Sequence, residues 1–377
     1  MIVVGTRPEL IRLSRVIPAL DAATALTLVH TGQNFTNSLS DNFFEELSIR
    51  KPDTYLKAAG DSAAKTISNI ISDVDNMIRT ARPDAFIILG DTNSALSVIA
   101  AKKRRIPIFH MEAGNRSFDE RVPEEVNRRI IDHTSDINMP YTEHARRNLI
   151  REGFGADRIV KTGSPMKEIL SEHVDKIKES KILEKLNLEP RNYILASAHR
   201  EENVDDPVRL TTIITTLDIV SKTYGVPIIL STHPRTQKSL TKNNITSKSR
   251  IRLHEPFGFA DYVALQMNAK MVLSDSGTIT EESIILGFPA INLRESQERP
   301  EGLENGRIPM AGITSANVLR CSEQVLTGHL HDSRTMPASI PEDYAGTRFS
   351  HTVLNAIMSY TEYVRRVVWQ GVQPNYD

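Results

Sequence analysis

One cysteine, Cys321, occurs in the 377 residues. A disulfide framework is therefore excluded, and a cysteine-ligated metal centre is not expected. Net charge is almost absent too, since 46 Lys and Arg stand against 47 Asp and Glu, a formal charge of −1. Neither a nucleic acid nor a membrane surface is an expected partner at that balance, although a local basic pocket for an anion is compatible with it. No apolar run approaches the roughly 18 residues of a membrane span. No signal-peptide pattern precedes the first motif, so the expected location is the cytoplasm. The sequence also lacks a Walker phosphate loop and a dinucleotide fingerprint after its first strand. A nucleotide would have to be held in another way. Low-complexity tracts and short repeats are missing as well.

What the chain does contain is a regular alternation. It is too long for one ordinary core, so two domains are expected. IVV (2–4), LTLVHT (26–31), AFIILG (85–90) and IPIFH (106–110) read as buried parallel strands. Amphipathic stretches such as ELIRLSRVIPAL and KTISNIISDVDNMIRT lie between them. The rhythm restarts after a polar stretch near 170–192, with YILASA (193–198), VPIILST (226–232), RIRLH (250–254), MVLSD (271–275) and PAINL (289–293). The pattern predicts an α/β protein of two doubly wound domains with a cleft between them. The last segment, from about Thr347, reads as a helix able to pack on either domain.

In open parallel sheets ligands sit beyond the carboxyl ends of the strands, so the residues just after each strand carry the chemistry. In SDSGTITEES (274–283), Ser276, Gly277 and Thr278 would offer N–H groups and hydroxyls to a phosphate at a helix N-terminus. Glu281 or Glu282 would reach ribose hydroxyls. An ordinary Ser/Thr cap followed by an acidic first turn has the same pattern. GTRPE (5–9) offers Arg7 to a phosphate or to a surface carboxylate. His199 with Arg200, and His233 with Arg235, follow two consecutive strands and suit a pyrophosphate. HMEAGNRSFDERVPEEVNRRIIDH (110–133) packs six carboxylates and four arginines between two histidines. Pro123 suits a first helical turn, which puts Glu124 and Glu125 at a helix start. Asp91, Glu112 and Glu124 can then meet at one sheet edge, where carboxylates raise one another's pKa and suit acid/base work at carbon. Metal binding ranks lower, because Arg116, Arg121 and Arg128 would compete for the carboxylates. A solvated, salt-bridged helix face accounts for Asp119, Glu120 and Asp132.

In order along the chain, GTRPE, GDTNS, HMEAGNR with VPEEVNRR, SAHREEN, SDSGTITEES and ERPEG resemble the non-hydrolysing UDP-N-acetylglucosamine 2-epimerase family, over about residues 2 to 310. The resemblance implies GT-B architecture, with two Rossmann-like domains and an interdomain cleft. Residues 1–168 with 347–377 would form the first domain, its C-terminal helix returning to it, and 169–346 the UDP-binding second. It implies a UDP-sugar as partner, a homodimer, and neither metal nor nicotinamide. TGQNF, PYTEHARR, TGSPM, STHPR and PFGFADY are similar to one branch. That branch epimerises C2 of UDP-2-acetamido-2,6-dideoxy-L-talose to UDP-N-acetyl-L-fucosamine, for capsule or O-antigen in lipopolysaccharide. The other readings are a UDP-N-acetylglucosamine 2-epimerase giving UDP-N-acetylmannosamine, and a GT-B glycosyltransferase.

By position, Asp91, Glu112 and Glu124 match the family's acidic catalytic residues, and Arg7 and His199 its phosphate-side residues. Ser276, Gly277 and Thr278 match the pyrophosphate loop, and Glu282 the ribose-binding carboxylate. Phe257 and Tyr262 lie where the family holds uracil, and His233 and Arg299 fall among its substrate-binding residues. Arg12 stands where the family has Lys. The family's Gln-rich helix, part of an allosteric nucleotide site, corresponds to TGQNFTNSLSDNFF, where Gln33 keeps the type and the later pattern differs.

Overall fold

The computed structural model describes residues 1–33, 41–120, 122–246, 250–296, 298–335 and 339–377, and of 41, 42 and 329–335 the backbone alone. The chain divides into two compact units, Met1–Ser171 with Glu342–Asp377, and Glu172–Pro341. Each is built on one parallel sheet.

In the first unit the strands are β1 (Ile2–Val4), β2 (Leu28–His30), β3 (Thr54–Tyr55), β4 (Phe86–Leu89), β5 (Ile108–Met111) and β6 (Ile137–Met139). Their order is β3-β2-β1-β4-β5-β6 and every pairing is parallel. Strands β3 and β6 escape the sequence pattern. The first has two residues on an edge, and the second is interrupted by Asn138, whose side chain donates to the Asp132 carbonyl at 3.2 Å. The amphipathic stretch ELIRLSRVIPAL forms two helices, α1 (Arg7–Leu13) and α2 (Val16–Ala23). Pro18 has no N–H for the Ser14 carbonyl, so the helix breaks there.

Helices α3 (Asp41–Glu46), α4 (Ala63–Ala81), α5 (Val98–Lys103), α6 (Pro123–Thr134) and α7 (Glu143–Arg151) follow. On α4, Thr66, Ile70, Val74 and Ile78 recur every fourth residue and are buried. The three aliphatic ones pack with Val3, Val29, Phe86 and Ile88 of the sheet, each contributing roughly 1.5–3 kcal/mol. The helix Phe349–Val367 packs against α2, within this unit.

The second unit has β7 (Ile194–Ser197), β8 (Ile228–Ser231), β9 (Ile251–His254), β10 (Val272–Ser274) and β11 (Ala290–Asn292). Its order is β11-β10-β7-β8-β9, again all parallel. The helix Pro207–Tyr224 buries Leu210, Ile213 and Leu217 against Ile194, Leu230 and Leu273. Both sheets run outward in two directions from one pair of strands, β1/β4 and β7/β10. At such a reversal the flanking crossovers lie on opposite faces and leave a crevice beyond the strand ends. Gly5–Arg7 and Gly90–Thr92 follow β1 and β4, and Ala198–Arg200 and Asp275–Thr278 follow β7 and β10. Among the described residues no helix is long and apolar enough to cross a membrane.

Candidate active site

At the β1/β4 reversal of the first unit, Pro8 opens α1 and brings Glu9 under the preceding turn. Glu9 is 2% exposed and accepts from Gly5 N (3.0 Å), Thr6 Oγ1 (2.7 Å) and Thr92 Oγ1 (3.2 Å), which ties the two loops together. Burial pushes its carboxyl up to about 7 against those hydrogen bonds, and nearby Asp91 pushes the same way. Arg7 is half-buried and lies over the Phe43 ring at 4.8 Å. It makes no ion pair among the described residues, and burial lowers its pKa, which the charge of Glu46 partly offsets. Gln33 Oε1 accepts from Ser94 N at 2.9 Å and Ser94 Oγ at 2.7 Å. The rest of that segment, 34–40, lies outside the described residues, as does Arg121.

Of the three expected carboxylates, Asp91 follows β4 and Glu112 follows β5, and each of these two meets an arginine. Glu112 is ion-paired with Arg12 of α1. Asp91 holds Arg128 Nε at 2.7 Å, and its carbonyl accepts from Asn127 at 2.9 Å. Both carboxylates are thus engaged by arginines, and burial lifts the carboxyl of the neighbouring Glu9. Glu124 is half-buried in the first turn of α6, whose N1 position Pro123 occupies. Its neighbour Glu125 is fully buried and closes the preceding loop, accepting from Ser117 N (2.9 Å), Ser117 Oγ (3.1 Å) and Arg128 (3.1 Å).

Glu112 has φ of +63°, a left-handed backbone that costs a side-chain-bearing residue roughly 1–2 kcal/mol. The turn around it is closely fitted. Gly114 has φ of +79°, and a Cβ there would stand 2.4 Å from the Ala145 carbonyl oxygen. Asp132, expected on a solvated face, is instead fully buried beneath this turn. It takes His110 Nδ1 at 2.8 Å, Gly114 N at 3.2 Å and Arg116 Nη1 at 2.7 Å. Burial alone would raise its carboxyl, but His110 and Arg116 outweigh that and hold it below the ordinary carboxylate range. His110 Nε2 in turn donates to the Gly90 carbonyl at 2.8 Å, and Arg116 reaches Glu152 at 2.6 Å. Glu120, by contrast, is exposed and pairs Arg129 at 3.0 Å, as a solvated face would.

At the β7/β10 reversal of the second unit the organiser is Asp275, fully buried. It accepts from His199 N (3.0 Å), Arg200 N (3.0 Å) and Asn203 Nδ2 (3.0 Å), and lies 3.2 Å from His199 Nδ1. The His199 ring is thereby held on one side by Asp275 and is exposed. Ser276 N donates to Ser274 Oγ at 3.0 Å, and the Ser276 and Thr278 hydroxyls are 3.0 Å apart at the N-cap of the helix Ile279–Leu286. A Cβ on Gly277 would lie 3.4 Å from Arg299 Nε and 3.7 Å from Arg200 Nη2. Two guanidinium groups therefore flank this loop, suited to an anion at a helix N-terminus.

Of the adjoining glutamates, Glu281 is the one paired with Arg299, at 2.5 Å, and Glu282 accepts from Gln266 at 2.5 Å. Tyr262 donates its hydroxyl to Ser197 at 3.2 Å, and burial raises its pKa. Phe257 is half-buried with its ring 5.6 Å from His254. His233 is exposed and caps the helix Pro234–Lys242. Arg235 is engaged by Glu201 and by Asp205, at 2.8 Å. Among the described residues no three His, Cys, Asp or Glu side chains are grouped to hold a metal ion.

Residues 19–358 match the family model described as UDP-N-acetylglucosamine 2-epimerase. The chain belongs to that family. A UDP-N-acetylglucosamine 2-epimerase of Methanococcus maripaludis is 34% identical over 340 residues, 88% of this chain and 92% of its own. A UDP-2,3-diacetamido-2,3-dideoxy-D-glucuronate 2-epimerase of Pseudomonas aeruginosa is 32% identical over 336 residues, 88% and 93% of the two chains. A solved structure of the UDP-N-acetylglucosamine 2-epimerase of Rickettsia bellii superposes with a TM-score of 0.90 at 48% identity, covering 98% of each chain.

The protein is thus a non-hydrolysing UDP-sugar 2-epimerase, and its two parallel-sheet α/β units are those of the GT-B class. In this epimerase Glu9, Asp132, Asp275 and Arg294 stand out only once the chain is folded. Arg294 holds Glu298 at 2.7 Å, and Glu298 also meets Arg200 at 3.4 Å. The signal for Asp275 was its place at the end of a strand. Asp132 and Glu9 gave none, because a carboxylate inside a helix or its first turn reads as solvated.

Proposed function

We propose that this epimerase inverts C2 of UDP-2-acetamido-2,6-dideoxy-β-L-talose to give UDP-N-acetyl-L-fucosamine, a precursor for capsule or O-antigen. The observation that carries the choice of sugar is the branch-like set TGQNF, PYTEHARR, TGSPM and PFGFADY. The reaction proceeds by elimination and re-addition. A base takes the proton from C2 while the C1–O bond to UDP breaks, and the C1=C2 double bond of a 2-acetamidoglycal forms. A proton is then delivered to the opposite face of C2, and the UDP oxygen returns to C1.

The C2 proton is weakly acidic, so the step needs a positioned base together with stabilisation of the departing pyrophosphate. In the first unit Glu112, Asp91 and Glu124 supply the proton-moving groups, one taking the proton and another returning one. Arg12 and Arg128 steer the first two carboxylates through the ion pairs described above. Arg7, half-buried and with no ion pair among the described residues, is suited to phosphate charge. In the second unit the Ser276–Thr278 loop, with Arg200 and Arg299 beside it, takes the pyrophosphate. His199, oriented by Asp275, serves on the phosphate side, and His233 lines the substrate site. Glu282 binds ribose, and Phe257 and Tyr262 hold the uracil. The working form is a homodimer, testable by light scattering.

The competing substrate is UDP-N-acetylglucosamine, favoured by the names of the relatives from M. maripaludis and R. bellii. A pocket built for a 6-methyl has no partner for a 6-hydroxyl, and burying that hydroxyl unpaired costs roughly 1–3 kcal/mol, about ten- to hundredfold. The opposite ring series adds to this by displacing C2 from the carboxylates, and about 1 Å of displacement costs ~100-fold. Assaying both nucleotides at equal concentration, separately and in competition, with proton NMR of the products, tests the choice. The L-talose nucleotide should turn over with little or no reaction of the other. Faster turnover of UDP-N-acetylglucosamine overturns the proposed sugar.

A further inference from the structure

We propose that Asp132 is a positioning residue for Glu112, and that through it the chain Glu152–Arg116–Asp132–His110 sets the rate of proton transfer at C2. The inference rests on the proposed role of Glu112. Three of the seven residues His110–Arg116 are anchored on this single carboxylate: the His110 ring at 2.8 Å, the Gly114 amide at 3.2 Å and the Arg116 guanidinium at 2.7 Å. Glu112 sits between the first two anchors with φ of +63°. A left-handed glutamate does not hold that backbone of its own accord, so the surroundings must impose it.

The same anchors continue to the catalytic groups. His110 passes from Asp132 to the Gly90 carbonyl at 2.8 Å, directly before Asp91. Arg116 also donates to the Asn115 carbonyl at 2.8 Å, and Asn115 donates to Glu112 Oε1 at 3.4 Å. One buried carboxylate therefore governs the backbone on which Glu112 is carried and the loop that carries Asp91. Asp132 touches no substrate in this scheme. Its effect is on geometry, to which proton transfer is steep and binding is not.

The test uses the full-length enzyme and whichever of the two nucleotides it turns over faster. Asp132→Asn keeps the shape and removes the charge that gathers three donors. It should lower kcat by about 10- to 100-fold with KM and UDP affinity within about twofold. Glu152→Gln, a change at a partly exposed helix end, should lower kcat a few-fold with the same unchanged KM, and it carries the test if Asp132→Asn does not fold. Each change is also made in a Glu112→Gln background, with residual turnover followed by deuterium entry at C2 over long incubation. There both should have less than about a twofold further effect, because a positioning residue has nothing left to position. Folded variants with kcat within twofold of the wild type overturn the inference, as does a full additional loss in the Glu112→Gln background. Near-normal turnover of Glu112→Gln itself overturns the role of Glu112 and this inference with it. An impaired Glu112→Gln beside a normal Asp132→Asn and Glu152→Gln overturns the inference alone.

Discussion

Replacing Glu9 by glutamine should stabilise the first unit at alkaline pH and change it little in acid. The Glu9 carboxyl moves from its ordinary value of 4.5 to about 7 in the folded protein, because burial outweighs the three donors it meets. The native state therefore binds more protons than the unfolded state between pH 4.5 and 7. Stability must fall as pH rises through that window, and the loss is complete above 7. At about 1.4 kcal/mol per pH unit the displacement amounts to about 3 kcal/mol, and no solvent discount applies at 2% exposure.

Glutamine is nearly isosteric, can accept from Gly5 and Thr6 through its carbonyl and can donate to Thr92, yet it does not titrate. The difference between the variants should therefore grow by about 3 kcal/mol from pH 4.5 to 8. Comparing variants is essential, because His30 acts in the opposite sense. Burial lowers its pKa from 6.5 to about 4, so its contribution rises with pH over nearly the same window and masks the slope in the wild type. Trp369 is the sole tryptophan and lies in the first unit, so its fluorescence in urea reports on the unit that holds Glu9. With a slope of about 2 kcal/mol per M, the midpoints should separate by a further ~1.5 M between the two pH values. A separation that stays flat from pH 4.5 to 8, or shrinks, refutes the reasoning.

Glu112→Gln and Glu124→Gln should each reduce turnover about 100-fold or more, the scale of acid/base catalysis, while calorimetry shows little change in UDP affinity. Normal turnover in either would remove that residue from the proton-transfer role. Product formed in heavy water should carry deuterium at C2, since the returned proton comes from an exchangeable acid. Complete retention of the original hydrogen would argue for an internal hydride instead. Turnover should survive exhaustive dialysis against EDTA without added nicotinamide, because the sequence has neither metal-ligand spacing nor a dinucleotide fingerprint. Recovery only on adding a divalent ion would contradict this.

Much of this was legible in the chain because it is local. Strands β1, β2, β4, β5 and β7 to β11 are apolar runs long enough to see, and the motif loops follow strands whose ends can be counted. The Pro8 and Pro123 helix starts are equally local, since a proline fixes its own φ and tolerates a first turn. The weak points were short or mixed elements, namely β3, β6 and the α1–α2 break, where two or three residues carry too little pattern and the neighbouring strand or a single missing N–H decides.

Apolar periodicity by itself determined the parallel α/β class and most of the strands, and the motifs' resemblance to known proteins pointed to the family. Partnership was decided only by the tertiary structure. Asp132 and Glu120 are both carboxylates of one acidic stretch, yet one is fully buried under the Glu112 turn and the other is exposed against Arg129. Glu281 and Glu282 are adjacent, yet one meets Arg299 and the other Gln266. A carboxylate's burial and counter-ion depend on groups tens or hundreds of residues away in sequence. Glu112 finds Arg12 only when β1 and β4 have brought α1 beside the end of β5.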